Sequence, residues 1–300
     1  MTIWNQVNEL RNNENPIYFL TNINAFTIRF VFLTYPLFAL ERFIGLNSEI
    51  SFHYLCLILI VISAFFLSKI TKEFFNINLY LIDLSSITFL FGLAYFANGR
   101  LLYSILGIFI LFYLSLKFNK FAKNKNFYLL SFGFFFGNIL SNASSGTATF
   151  AMVITIMTLF SGLFNENSRR FSSLILLLFL FPSFYLFQIY FEKNLAFYSW
   201  NIFSMLSHGL GGLVNFNQEV TFLLVILFLF SGYLFFININ NYLNLNKFTV
   251  LTFFSFVALA IGLFGFSSML PMLLITFFIL MWNFVFQIFL KNDEPPHISN

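Results

Sequence analysis

The sequence predicts an all-α, polytopic membrane protein: one helix bundle of about ten transmembrane helices, with both termini in the cytoplasm. Three observations predict it. The 300 residues are 59% hydrophobic and only 9% charged, with a mean hydropathy of +0.86, whereas soluble domains are about a quarter charged. So little charge cannot cover a water-facing surface. Apolar windows of bilayer-spanning length recur along the whole chain. Lys and Arg, finally, fall almost entirely in alternate connections.

A crossing needs roughly 20 mostly apolar residues. The expected spans are 26–44, 53–67, 75–96, 101–118, 127–140, 147–164, 171–190, 220–237, 248–266 and 271–290. The first carries Arg29, Pro36, Glu41 and Arg42, and the fifth is short and contains Asn138. Pro182, in the middle of the seventh, predicts a kink there. Together, residues 26–291 form a single transmembrane domain.

The basic residues set the sidedness. With ten spans and a cytoplasmic N-terminus, the inner connections hold Arg11, Lys69, Lys72, Lys117, Lys120, Lys123, Lys125, Arg169, Arg170, Lys247 and Lys291. Outside lie Arg42, Arg100 and Lys193, with Arg29 inside the first span. This is the positive-inside pattern. It explains the pI of about 9.1 without a nucleic-acid partner. Removing one span would invert everything on one side of it, so the bias also argues for an even number.

Residues 1–25 form a polar cytoplasmic or interfacial segment without the small-residue cleavage site of a signal peptide. Within it Trp4, Val7, Leu10 and Arg11 suit a short helix at the membrane interface. Residues 292–300, with Pro295 and Pro296, read as a disordered cytoplasmic tail. The longest connection, 191–219, falls on the outer side and mixes aromatic residues with charge. Within it 195–206 suits a helix lying on the membrane, with Tyr198 and Trp200 at headgroup level, broken by His208-Gly209 and Gly211-Gly212.

No soluble-enzyme motif is present. Cys56 is the one cysteine, and His53, His208 and His297 are scattered, so no metal or cofactor is expected. The residues able to carry chemistry are few. Asp83 lies in the third span, where an ionisable group is either functional or satisfied by Ser85, Ser86 or a neighbouring helix. Arg42 next to Glu41 suits a local ion pair. Arg100 closes an outer turn, either as a fork for a pyrophosphate or as a snorkelling anchor. The turn 141–147 (SNASSGT) enters a helix start that either binds an anion or is capped by Ser144 or Ser145. Glu192, Lys193, Tyr198 and His208 are the acids, bases and donors of the long loop. His208 is either a general base or simply an exposed side chain.

The order of these features resembles the bacterial O-antigen polymerase and O-antigen ligase superfamily. The resemblance covers 141–237: a polar outer SNASSGT turn, a span, a cytoplasmic NENSRRF turn, a span, an outer SWNIFSMLSHGLGG loop, and VNFNQE leading into a span with a central Gly232. The segment ANGRLLYSILGIF is similar to a Gly-Arg-Leu stretch of some polymerases. By position, Ser144, Ser145, Trp200, Gly209 and Gly211 carry over as substrate-binding residues, with Tyr198 beside them. Where the family has Arg after the turn's Ser, this chain has Gly146, and four residues before the Trp it has Ala196.

The resemblance implies a glycosyltransferase of the bacterial inner membrane, acting in O-antigen, lipopolysaccharide or capsule and exopolysaccharide biosynthesis. Its substrate would be an undecaprenyl-pyrophosphate-linked oligosaccharide, transferred onto a second lipid-linked unit. Arg100 and Lys193 would hold the diphosphate, His208 or Glu192 would accept the proton, and Trp200 and Tyr198 would stack on sugar. Membrane lipids and other polysaccharide-assembly membrane proteins are the expected partners. The rival expectations are a multispan transporter or flippase, or a different integral-membrane sugar or acyl transferase.

Overall fold

The computed structural model describes residues 3–13, 30–94, 99–142, 145–202, 204, 218–237, 246–263 and 269–289. Every regular element among them is helical. They are α1 (Ile3–Asn13), α2 (Tyr35–Ala39), α3 (Ser48–Phe75), α4 (Tyr80–Ala94), α5 (Gly99–Lys123), α6 (Phe127–Ser141), α7 (Ser145–Gly162), α8 (Arg169–Phe197), α9 (Gln218–Ile237), α10 (Lys247–Leu263) and α11 (Met269–Phe289). Short π-helical turns, Phe30–Thr34 and Leu40–Ile44, flank α2.

Among the described residues four segments are long and apolar enough to cross a membrane: Ser48–Phe75, Leu101–Lys123, Arg169–Lys193 and Pro271–Ile288. Five shorter apolar helices, in α4, α6, α7, α9 and α10, run beside them. The local chemistry sets the ends. The Asn47 side chain caps α3 by accepting from the Glu49 N–H at 2.8 Å, and Asn76 ends that helix in the left-handed conformation at φ 56°. Lys125, also at φ 56°, makes the tight turn from α5 to α6.

From α3 to α11 the helices alternate in direction. Tyr113 of α5 meets Phe66 of α3 edge-on at 6.0 Å, and Lys117 pairs with Glu73, so α3 and α5 run parallel with α4 between them in sequence. Gly107 lies against Gly137 and Ser141 of α6, which returns antiparallel. Ser115 and Thr158 share a hydrogen bond of 2.7 Å, which sets α7 parallel to α5. Phe253 and Phe235 meet at 4.6 Å between α10 and α9, and Ser255 and Thr276 at 3.1 Å between α10 and α11.

α5 is the central helix: 78% of its apolar window is buried, against 11% for α8. Its glycine explains the close fit. A Cβ on Gly107 would come within 2.6 Å of the Gly137 carbonyl oxygen, so only hydrogen lets α5 and α6 approach this far, the small-residue mode of packing inside membranes. Large apolar side chains point outward on the other helices, including Leu177, Phe181 and Phe184 of α8. That arrangement suits lipid, not water.

Charges gather at one end of the bundle. Glu73 receives Lys117, and Lys247 Nζ donates to the Glu73 carbonyl at 2.5 Å and to Asn76 Oδ1 at 2.8 Å. Lys72 binds Asp83 at 2.5 Å, and Ser68 donates to the same carboxylate. Asp83 is thus satisfied from the neighbouring helix α3, and Ser85 instead accepts from Trp282 at 3.1 Å. Lys69, Lys72, Lys117, Lys120, Lys123, Lys125, Arg169, Arg170 and Lys247 all lie toward this end.

Arg11 is the exception. It was expected with them, but its fork grips Glu41 at 2.9 and 2.8 Å and reaches Ser48 at 3.2 Å, at the opposite end. α1 is not a free interfacial helix either. Val7 and Leu10 are fully buried against the 30–44 run, and Thr34 donates to Gln6 at 2.9 Å. The carboxylate of Glu41 draws Arg11 there, and burial of two apolar side chains adds the larger share.

Candidate functional site

Three polar segments converge at the Ser48 end. The first is the start of α5, where Arg100 lies one helical turn before Ser104. The second is the turn after α6. Thr147 donates to the Ser141 carbonyl at 2.7 Å and shares a hydrogen bond of 3.0 Å with the Ser104 hydroxyl, tying that turn to α5. The third is the end of α8. The buried Tyr190 hydroxyl donates to Asn142 Oδ1, and Asn142 in turn donates to the Asn138 carbonyl at 2.6 Å. Asn138 then donates to Thr155 at 2.8 Å, while its Oδ1 is buried with no donor among the described residues.

A buried polar chain in an apolar bundle is costly unless its members pair. Here it joins α5, α6, α7 and α8. Glu192 and Lys193 follow Tyr190 by two and three residues, and both are exposed. Glu192 accepts from Gln188 at 2.8 Å, one turn earlier. These two residues therefore stand on a helix, not in a loop.

The expected surface helix over 195–206 is corrected at its start, while Ile202 and Ser204 are helical and residues 203, 205 and 206 lie outside the described residues. Residues 195–197 complete α8, and the chain then turns at Ser199 and Trp200, with φ of 54° and 60°. The Trp200 N–H donates to the Leu195 carbonyl at 2.8 Å, closing the helix end. A bulky residue in the left-handed region is uncommon. It aims the Trp200 ring outward, where it is 66% exposed. Tyr198, half-buried beside it, has its phenol pushed up by burial.

Ser145 begins α7. Ser144, His208, Gly209 and Gly211, and the side chains of Arg100 and Ser145, lie outside the described residues. Of the expected site, then, the backbone of Arg100 and Ser145 lies toward the same end of the bundle as Glu192, Lys193, Tyr198 and Trp200, and the bonds between these segments run through Ser104, Thr147, Asn142 and Tyr190. The residues that hold these segments together, Ser104, Asn142, Thr147 and Tyr190, were not expected to matter. Asn142 and Thr147 stood within the polar turn, but Tyr190 read only as the last residue of a span.

A groove of about 710 Å³ opens between α3, α5 and α6. It runs from Leu55, Tyr103 and Leu140 to Phe121 and Leu129, and Tyr103 to Phe121 is about 27 Å of helix. A second hollow of about 360 Å³, bounded by Pro36 and Tyr54, shares Leu55, Ile58 and Tyr103 with it. Among the described residues no three His, Cys, Asp or Glu side chains gather. Compared with family models, with curated proteins and with solved structures, the chain matches none.

Proposed function

We propose that this chain is a glycan polymerase of the bacterial inner membrane, transferring an undecaprenyl-pyrophosphate-linked oligosaccharide onto a second lipid-linked repeat unit. The observation that carries the reading is the meeting, at one end of the bundle, of the α5 start bearing Arg100, the SNASSGT turn, and the α8 end bearing Glu192 and Lys193. These are the segments on which the family resemblance places its site. The apolar groove supports the reading too, since it suits one long isoprenoid chain.

The chemistry is balanced within the substrates. The acceptor hydroxyl oxygen attacks the anomeric carbon, the bond from that carbon to the phosphate oxygen breaks, and the diphosphate carrier leaves with the electron pair. Arg100 and Lys193 neutralise the departing charge, and Glu192 or His208 takes the hydroxyl proton. Trp200 offers its exposed ring to a sugar face.

The topology belongs to the same proposal. The 30–44 run and α3 to α11 make ten crossings, the cationic end lies in the cytoplasm, and the Ser48 end faces the periplasm. A transporter would draw on Asp83, whose carboxylate Lys72 and Ser68 already account for.

The test is genetic. A strain lacking the protein should display surface glycan capped at one repeat unit on a gel, and Arg100→Ala and His208→Ala should reproduce the defect while still reaching the membrane. Normal ladders in the deletion strain would overturn the reading.

A further inference from the structure

We propose that the cationic corner formed by the α5–α6 turn and the start of α8 retains an anionic phospholipid of the leaflet it faces. Two contacts build the corner. The rings of Phe127 and Phe171 stack at 4.8 Å, which sets Lys125, two residues before Phe127, beside Arg170, one residue before Phe171. Asn165 donates to Asn119 at 3.0 Å, which draws the α7–α8 turn onto the end of α5 that bears Lys120 and Lys123.

Lys120, Lys123, Lys125, Arg169 and Arg170 are all exposed there. Within 119–126 and 163–171 the sole acid is Glu166. Arg169 is oriented by its own bond from Nε to the Leu163 carbonyl at 3.1 Å. Like charges repel across the corner, and α8 begins on two arginines with no acid in its first turn, where the helix dipole disfavours cations. An anion removes both penalties, and a phosphate suits guanidinium through paired N–H donors.

The surface below the cations identifies the anion as a lipid. Tyr128 on α6, with Leu174 and Leu177 on α8, are exposed large apolar side chains one to two turns inward from the charges. A phosphate head on the cations would lay its acyl chains along that wall. A soluble polyanion would use the cations and leave the wall bare. Anionic headgroups are what juxtamembrane Lys and Arg attract. The proposal is independent of the polymerase reading, which enters only in naming the leaflet as cytoplasmic.

The test uses the full chain in a neutral detergent, offered equal parts of phosphatidylglycerol and phosphatidylcholine and read by native mass spectrometry. The wild type should retain phosphatidylglycerol several-fold over phosphatidylcholine. The Lys125→Gln/Arg170→Gln variant should fall toward parity, with an unchanged melting temperature in lipid-free detergent. Lys69→Gln, on α3 and lying over the Phe65 ring at 5.3 Å, should keep the preference. If the first variant misfolds, Lys120→Gln/Lys123→Gln at the exposed end of α5 takes its place. Parity in the wild type would overturn the proposal, as would an undiminished preference in the folded variant. Capture of polyglutamate without any lipid preference would overturn it equally, and would mark a protein-docking surface.

Discussion

The hydroxyl of Tyr190, near the end of α8, donates to Oδ1 of Asn142 in the turn between α6 and α7. Both side chains are buried. The bond joins two segments that lie 48 residues apart in sequence, and it fixes where Glu192 and Lys193 stand relative to the SNASSGT turn.

Tyr190→Phe should therefore loosen this end of the bundle. It leaves the Asn142 acceptor unpaired in an apolar setting, a loss of about 1–3 kcal/mol. Thermal denaturation in detergent checks it, with the expectation of a lower midpoint. On the polymerase reading, surface-glycan ladders should also shorten. An unchanged midpoint would mean that the bond contributes nothing to the fold.

Gly107→Ala should destabilise the core although alanine is the better helix former. Its Cβ would lie 2.6 Å from the Gly137 carbonyl oxygen and 2.7 Å from the Ser141 nitrogen. Backbone atoms cannot rotate away, so α6 must shift, at about 1–3 kcal/mol. Gly92→Ala, with nothing within 4 Å, is the control and should be neutral or slightly stabilising.

The ion cluster at the cationic end makes a paired prediction. Lys117→Met strips Glu73 of one partner, and with side chains only 14% and 23% exposed the loss should be about 1–3 kcal/mol. Adding Glu73→Gln should restore part of it, since the carboxylate left short of a partner is then gone. Strict additivity in a double-mutant cycle would show that the two groups are uncoupled.

Sidedness is open to thiol labelling, because Cys56 is the one cysteine to remove. In a Cys56→Ser background, Trp200→Cys should react with a membrane-impermeant maleimide added to intact spheroplasts, and Lys123→Cys should react only after lysis. The reverse pattern would invert the bundle and put the candidate site in the cytosol.

Much of the fold was legible because lipid imposes simple rules. Burying a helix backbone in hydrocarbon demands apolar length, and among the described residues a helix covers most of each expected span from 53–67 to 271–290, although 75–96 opens on the end of α3 and the turn after it. The 30–44 segment was harder to read. Pro36 and its neighbours break it into a short helix between π-turns, and α1 covers it, a contact no periodicity reveals. Arg11 shows the same limit. Its place in the chain grouped it with the other cations, and a carboxylate 30 residues away, Glu41, holds it at the opposite end of the bundle.

The candidate site divides along the same line. Glu192, Lys193 and Trp200 could be singled out from residue type alone, since charge and indole are scarce here. That the first two extend α8 while Trp200 turns its end depends on backbone hydrogen bonds to Leu195 and Ala196, which local composition did not disclose.

The amino-acid order alone determined that the chain is helical, that it belongs in a bilayer, and which ends of its helices carry positive charge, because hydropathy and charge act residue by residue. Only the tertiary structure decided which helix is central, which glycine admits its neighbour, and which polar segments meet. Those outcomes depend on contacts between side chains distant in sequence, such as Gly107 with Gly137 and Tyr190 with Asn142, and shape complementarity has no signature in any one window of the chain.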